Sequence, residues 1–135
     1  MSKKSQTKKQ ERLQQLSLFG KDLVRRCAAH CELCNASSVP LSVFEIEPVP
    51  NEPVLEHCLM ICELCEQNVV KPKRMQANHW RCLSNTIWSE VRAAKVTAIV
   101  ILTYLADREP WAQEYLEQAY LDDEEQAWVD EWQLK

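Results

Sequence analysis

Hydrophobic residues recur at helical spacing over most of this chain and alternate only near its middle. Apolar side chains at positions 13, 16, 18, 19, 23, 24 and 27 predict a helix from about residue 10 to 29, interrupted or weakened at Gly20. Residues 40–48 alternate and predict a short strand that ends at Pro48. Residues 54–61 can return as a second strand, so the pattern predicts one β-hairpin.

The second half of the chain is predicted to be helical. A short helix over about 63–70 should stop near Pro72, followed by a loop over 71–83. A long helix is predicted from residue 84 or 85 to about residue 106. A second helix is predicted over Trp111–Tyr120, with Pro110 at its start, and a third is predicted to begin after the cap Asp122 and to end at about residue 132. The buried stripe of the long helix is expected to contain Ile87, Trp88, Val91, Ala94, Ala98, Ile99, Leu102 and Leu105.

Two identical C-E-L-C segments, Cys31-Glu-Leu-Cys34 and Cys62-Glu-Leu-Cys65, flank the predicted hairpin. Two such pairs can place four thiolates about 2.3 Å from a Zn²⁺ ion at the corners of a tetrahedron. The spacing therefore predicts one structural zinc ion bound by Cys31, Cys34, Cys62 and Cys65. Four protein ligands leave no open position for water or substrate, so no catalytic residue is assigned at the metal.

The order of knuckle, hairpin, knuckle and helix predicts an α+β fold with a small treble-clef or zinc-ribbon-like core. An N-terminal helix and C-terminal helices should frame this core. We expect a basic disordered tail over 1–9 and a single zinc-binding domain over 10–135, with the knuckle core at about 27–83 and the helical part at about 84–133.

Charge is unevenly distributed along a chain whose net charge is only −4. Residues 1–30 carry eight Lys/Arg against two Asp/Glu, whereas residues 107–135 carry ten Asp/Glu against two Lys/Arg. The asymmetry indicates either a basic arm for a polyanion or two ends that attract each other. A protein or nucleic-acid partner is therefore expected, with the oligomeric state open.

Seven cysteines, an odd number, argue for thiolate ligands in a cytoplasmic protein and against a disulfide framework. No apolar run approaches the roughly 18 residues that a membrane-spanning helix needs, and the basic start leads into no signal region. We therefore expect a cytoplasmic protein without a membrane partner.

Several residues near the knuckles have two interpretations. His79 could present an imidazole to an anion or could pack against the zinc site. His57 and Cys58, and less readily His30, could replace a ligand or bind a second ion. Cys82 is either a nucleophile or a buried thiol.

Five segments of the chain form a distinctive combination: the first C-E-L-C segment, Leu-Ser-Val-Phe-Glu at 41–45, Ala-Asn-His-Trp-Arg-Cys-Leu at 77–83, Trp-Ser-Glu-Val at 88–91 and Tyr-Leu-Asp-Asp-Glu-Glu at 120–125. In these segments the chain resembles the PhnA-like proteins, which are named after alkylphosphonate-utilisation operons. The resemblance implies a zinc-binding region and supplies no residue for phosphonate chemistry.

A more distant resemblance is to the HNH nucleases, which share the treble-clef scaffold. Their strand carries a His-His pair where this chain has Phe44 and Glu45, and a further histidine is expected near Glu66. We therefore expect a non-enzymatic binding module with structural zinc. The alternative is a degenerate HNH-like phosphodiester hydrolase that uses Glu45.

Overall fold

The computed structural model describes the backbone of residues 3–134 and the side chains of residues 9–134. Within these residues it contains seven α-helices, three short 3-10 helices and one two-stranded antiparallel sheet. The helices are α1 (Lys3–Leu18), α2 (Gly20–Cys27), α3 (Glu63–Val70), α4 (Leu83–Thr86), α5 (Arg92–Leu105), α6 (Pro110–Gln118) and α7 (Asp123–Glu131). The strands are β1 (Leu41–Glu45) and β2 (Cys58–Cys62), and the 3-10 helices are Leu55–His57, Pro72–Arg74 and Ala77–Cys82.

The hairpin separates two hydrophobic cores. Strand β2 is buried along its whole length, and it pairs with β1 in a register that sets Leu41 opposite Cys62. Alternate residues of a strand point to opposite faces. Leu59 and Ile61 accordingly pack in the main core, while Cys58 and Met60 pack in a smaller core. The return strand is shorter than the predicted 54–61, because residues 55–57 form a 3-10 helix ahead of it.

The N-terminal segment forms two helices that cover the smaller core. The single helix predicted over 10–29 is divided at Phe19, beside Gly20, and Leu16 and Leu23 are the buried members of the pair. Helix α1 begins at Lys3, within the stretch 1–9 for which a disordered tail was predicted, and Met1 and Ser2 lie outside the described residues. Lys and Gln are good helix formers, which lets the helix extend beyond its packed part.

The long helix predicted from residue 84 to 106 is two helices separated by a bend. The Ser89 hydroxyl accepts the N–H of Val91 at 3.0 Å, a local bond that competes with helix continuation. Helix α5 is the central buried helix, with Ala94, Ala98 and Leu102 fully inaccessible. Trp88, expected on the buried stripe, lies in the bend and is 61% exposed.

The last two helices pack on α5 and complete the main core. Asp122 caps α7 as predicted: its carboxylate accepts the Glu125 N–H at 2.8 Å, and the Glu125 carboxylate accepts the Asp122 N–H at 3.0 Å. The backbone N–H of Glu125 holds the pKa of Asp122 below its usual value, with Arg92 contributing. No helix in the described part of the chain combines the length and apolar character needed to cross a membrane.

Candidate metal centre

The first C-E-L-C segment is a tight turn between α2 and the hairpin. Asn35 adopts a left-handed conformation with φ of 67°, which Asn tolerates better than most residues. This lets its N–H donate to the Cys31 carbonyl at 2.8 Å, while the Cys31 N–H donates to Ala36 at 2.9 Å. The two bonds close the turn and bring Cys31 and Cys34 to the same side.

The second C-E-L-C segment starts a helix. Cys62 is both the last residue of β2 and the N-cap of α3, and Cys65 lies in the first turn of that helix. The unpaired N–H groups and dipole of a helix N-terminus favour thiolates. The same four-residue spacing is thus produced by a loop in one knuckle and by a helix start in the other.

The four sulfur atoms form one cluster. Their positions all lie within 4.8 Å of one another, and the Sγ atoms of Cys31 and Cys65, and of Cys34 and Cys62, are each 3.7 Å apart. A tetrahedron of thiolates about 2.3 Å from a central ion has edges of about 3.8 Å. The four cysteines are therefore positioned to coordinate one metal ion, as the spacing predicted. All seven cysteines lie in the described part of the chain, and none of them there forms a disulfide.

Hydrogen bonds within the cluster set its protonation. The Sγ atoms of Cys31 and Cys65 are hydrogen-bonded at 3.7 Å, and the Cys31 sulfur also accepts the N–H groups of Cys34 at 3.5 Å and Cys62 at 3.4 Å. The hydrogen bond with Cys65 and the two N–H donors lower the pKa of Cys31 to about 4, whereas burial raises the pKa of Cys34 to about 12. The hydrogen bond with Cys31 and burial raise the pKa of Cys65 above its usual range. A metal ion would displace the remaining thiol protons.

His79 lies against the cluster. Its Nε2 is 3.2 Å from the Sγ of Cys65, and burial lowers its pKa, which favours the neutral ring near pH 7. A neutral imidazole with its proton on Nε2 can donate to this sulfur. The position matches a residue that orients a metal ligand, the second of the two roles considered for His79.

The neighbours of His79 make structural contacts. Trp80 is completely buried in the main core, and the Arg81 guanidinium lies 4.7 Å from the centre of the Trp111 ring. Cys82 donates to the His79 carbonyl at 3.3 Å, and burial raises its pKa to about 11. A thiol with that pKa is protonated at neutral pH, so the contacts favour the buried-thiol interpretation.

A buried ion pair beside the first knuckle was not predicted. The Glu32 side chain is only 3% exposed and is bound by the Arg26 guanidinium at 2.7 and 2.9 Å. Glu32 also accepts the Met60 N–H at 2.8 Å, and its own N–H donates to the Met60 carbonyl at 2.9 Å. Glu32 thereby provides hydrogen-bond partners for the N–H and carbonyl of Met60 on the edge of β2 that faces away from β1. The sequence shows only one cation and one carboxylate six positions apart, Arg26 and Glu32, and this spacing does not indicate that Glu32 contacts β2.

Glu45, the residue considered for nuclease chemistry, is also paired. The Arg12 guanidinium donates to both carboxylate oxygens at 2.8 and 2.6 Å, and to the carbonyls of Pro50 and Asn51. Its hydrogen bond to Glu45 raises the pKa of Arg12, so the guanidinium stays charged. Glu45 thus anchors α1 to the hairpin.

His57, Cys58 and His30 are not members of the sulfur cluster. The His57 ring packs on Trp128 with 4.3 Å between centroids, and the Cys58 thiol donates to the Val54 carbonyl at 3.3 Å. His30 contacts the Ala28 carbonyl through Nδ1. Among the described residues, the four predicted cysteines form the one group of three or more side chains placed to share an ion.

No protein-family model, curated protein or solved structure matches this chain. The site must therefore be interpreted from its own geometry.

Proposed function

We propose that this chain is a binding module of the PhnA-like type, stabilised by one structural zinc ion and without catalytic activity, which engages a protein or nucleic-acid partner. The observation that carries the proposal is the closed cluster of Cys31, Cys34, Cys62 and Cys65. The motifs at 77–83 and 120–125 support the family assignment from sequence alone.

Zinc is the metal that this donor set favours. A tetrahedral set of four thiolates is typical of zinc and of iron in sulfur sites. Zinc has no redox chemistry and contributes folding free energy directly. The site lies where α2, the hairpin and α3 meet, so an ion there would cross-link three elements of a small domain. We further propose a reducing cytoplasmic setting, because the thiols must stay reduced to bind the ion.

A binding role fits the surroundings of the metal better than hydrolysis does. Four protein ligands fill a tetrahedral shell, leaving no position for water. Glu45, the alternative general base, is held by Arg12, and Glu66 accepts a hydrogen bond from Ser42 at 3.4 Å. The exposed charged surfaces of the helices are then the parts available to a partner.

Metal analysis tests the zinc assignment. Protein purified without chelators should contain one zinc per chain by native mass spectrometry, and Co²⁺ substitution should give the absorption bands of a tetrahedral thiolate site. If the purified protein instead contained iron and showed the coloured absorption spectrum of an iron–thiolate site, the metal would be assigned as iron and not zinc. Well under one metal per intact chain would overturn the proposed centre, and two would reopen His57 or Cys58 as ligands.

Plasmid cleavage tests the absence of catalysis. We expect no cleavage with Mg²⁺, Mn²⁺ or Ni²⁺ at protein concentrations that saturate DNA. Cleavage that is lost in Glu45→Ala or His79→Ala and kept in Glu63→Ala would establish the HNH-like alternative instead. Glu63 is a suitable control because, among the described residues, its exposed carboxylate accepts a hydrogen bond from Gln67 alone, at 3.2 Å.

A further inference from the structure

The two edges of the β-hairpin differ in how their backbone groups are satisfied. In an antiparallel pair, opposite residues either exchange both backbone hydrogen bonds or point their N–H and C=O groups away from each other. Met60 bonds through both groups to Glu32, on the side away from β1. The pair of Met60 with Val43 is therefore of the second kind, and Val43 also points its N–H and C=O outward. Because the pattern alternates along the strand, Leu41 and Glu45 do the same.

The outer edge of β2 has partners along its whole length. Cys58 donates its N–H to the Leu55 carbonyl, and its own carbonyl accepts the Arg26 guanidinium at 2.8 Å. Cys62 donates its N–H to the Cys31 sulfur at 3.4 Å, and as the N-cap of α3 its carbonyl begins the hydrogen bonds of that helix. Together with the bonds at the middle of the strand, these contacts leave no place for a further strand on this side.

The outer edge of β1 is open. Among the residues that the structure describes, none forms a hydrogen bond with the outward N–H or C=O groups of Leu41, Val43 or Glu45. Every residue of β1 is exposed or half-buried, whereas β2 is buried throughout. Helices α2 and α5 pack against β2 from the smaller and the main core respectively. The helices thus cover the two faces of the hairpin and leave this edge accessible.

Residues 41–45 lack the features that usually protect a strand edge. Proteins prevent edge-to-edge pairing with prolines, bulges or unpaired charges on the edge strand. This segment contains no proline, and its register with β2 continues through all its residues without a bulge. Its one charged side chain, Glu45, is bound by Arg12 through both carboxylate oxygens. The edge is therefore a template on which another strand can add.

Strand β1 is complementary to a second copy of itself. Its three outward-pointing residues are spaced symmetrically, so a two-fold axis through Val43 sets Leu41 opposite Glu45 of the second copy. The pairs 41 with 45, 43 with 43 and 45 with 41 would each exchange two backbone hydrogen bonds, about six in all. In this register each glutamate lies beside a leucine, so the two carboxylates do not face each other, and the two valines form an apolar pair.

We infer that two copies of this chain associate edge to edge through β1 and join their hairpins into one four-stranded antiparallel sheet. Strand addition gains its affinity from main-chain hydrogen bonds, and it relieves the isolation of a two-stranded sheet. The inference deepens the proposed function, on which it rests only in that the protein partner of the module is a second copy.

Sedimentation velocity of the zinc-loaded full chain tests the association. We expect a dimer with a Kd on the order of 10–100 μM, because strands of 5 residues make a small contact. The Kd should change by less than about twofold between about 50 and 500 mM salt, since salt screens exposed charges and not backbone hydrogen bonds.

A proline at the two-fold axis should disrupt the dimer. Val43→Pro removes an outward N–H and leaves the bonds between β1 and β2 in place, so it should weaken the dimer at least about tenfold. Val49→Pro is the matched control, because Val49 is 45% exposed and lies in the hairpin loop outside β1. It should leave the Kd within about twofold.

Amide hydrogen exchange, followed by NMR on the unsubstituted protein, tests the register without any substitution. Raising the concentration from about 50 μM to about 1 mM should slow exchange of the Leu41, Val43 and Glu45 amides at least about threefold, as most chains become dimeric. The amides of Ser42 and Phe44 point toward β2 in both states, and their exchange should stay unchanged.

Several results would overturn the inference. A chain that stays monomeric at about 1 mM would do so, as would a dimer whose amides at 41, 43 and 45 exchange as fast as in the monomer. A dimer weakened about tenfold by salt, or a folded Val43→Pro protein with an unaltered Kd, would also contradict it. If Val43→Pro does not fold, the exchange measurement decides. Zinc content measured on the same samples tests the metal proposal separately, so a zinc-loaded monomer would refute this inference alone.

Discussion

The two C-E-L-C segments have identical residues, contribute two sulfurs each to one cluster, and lie in opposite surroundings. In the first, Leu33 is 1% exposed and Glu32 is buried against Arg26 and β2. In the second, Leu64 is 41% exposed and Glu63 projects from the first turn of α3. The cysteine spacing determines the sulfur positions, and the residues between the cysteines acquire their roles from the elements that surround each segment.

The difference follows from how each knuckle satisfies its backbone. The second knuckle belongs to a helix, whose own hydrogen bonds and N-terminal N–H groups support it. The first knuckle is a loop and depends on tertiary partners: the Leu33 carbonyl accepts the Thr86 hydroxyl at 2.7 Å, and Glu32 pairs with Met60. We therefore expect equal effects from the cysteines of the two knuckles and unequal effects from the residues between them.

Removing a sulfur from either knuckle should have the largest effect. Cys31→Ala and Cys62→Ala should each abolish stoichiometric metal binding and the cooperative unfolding transition, because metal binding supplies folding free energy in small domains. Metal content and thermal unfolding by circular dichroism measure this. Cys27→Ser, outside the cluster, should keep both properties; full zinc in either alanine variant would show that a fourth sulfur is dispensable.

Substitution of the leucine in each C-E-L-C segment should show the difference between the two knuckles most clearly. Leu33→Ala should lower the free energy of unfolding by about 2–5 kcal/mol, the range for buried leucines, whereas Leu64→Ala should cost under about 1 kcal/mol. Urea unfolding of the metal-loaded proteins provides the comparison. Equal losses would mean that the second knuckle is as deeply packed as the first.

The glutamates should differ in the same direction by a smaller amount. Glu32→Gln should destabilise the protein by about 1–3 kcal/mol, because the Arg26 pair loses its charge complement, and Glu63→Gln should change stability by under about 0.5 kcal/mol. A double-mutant cycle with Arg26→Gln would isolate the pair. A coupling free energy near zero would contradict a role for this contact in holding α2 to the knuckle.

His79 should have the smallest effect of these, and only on metal affinity. Replacing it by Phe removes the donor to Cys65 and should weaken zinc binding by about tenfold, the lower end for partners of metal ligands. Competition with a chelator measures the affinity. His57→Phe, a histidine outside the cluster, is the matched control and should leave affinity unchanged.

The sequence predicted the local features that depend on spacing. The cysteine quartet, α3 over 63–70, Pro110 in the first turn of α6, the Asp122 cap and the hairpin follow from residue types within a few positions of each other. It could not predict the bend at 87–91, where one serine hydroxyl interrupts a continuous apolar stripe. The partners of Glu32 and Glu45 also depended on tertiary distances, since Arg12 and Glu45 lie 33 positions apart.

The hydrogen bond from Trp128 to the Glu47 carbonyl has a consequence for the order in which the protein assembles. The sulfurs are separated by at most 34 positions, whereas this bond joins residues 81 positions apart. Trp128 follows Cys65, the last of the four cysteines, by 63 positions, so at roughly 5–20 residues per second a ribosome needs about 3–13 s to make the chain between them. The knuckles and hairpin could therefore close around a metal ion while α7 is still unsynthesised, and the C-terminal helix would dock onto a preformed core as the last step of folding.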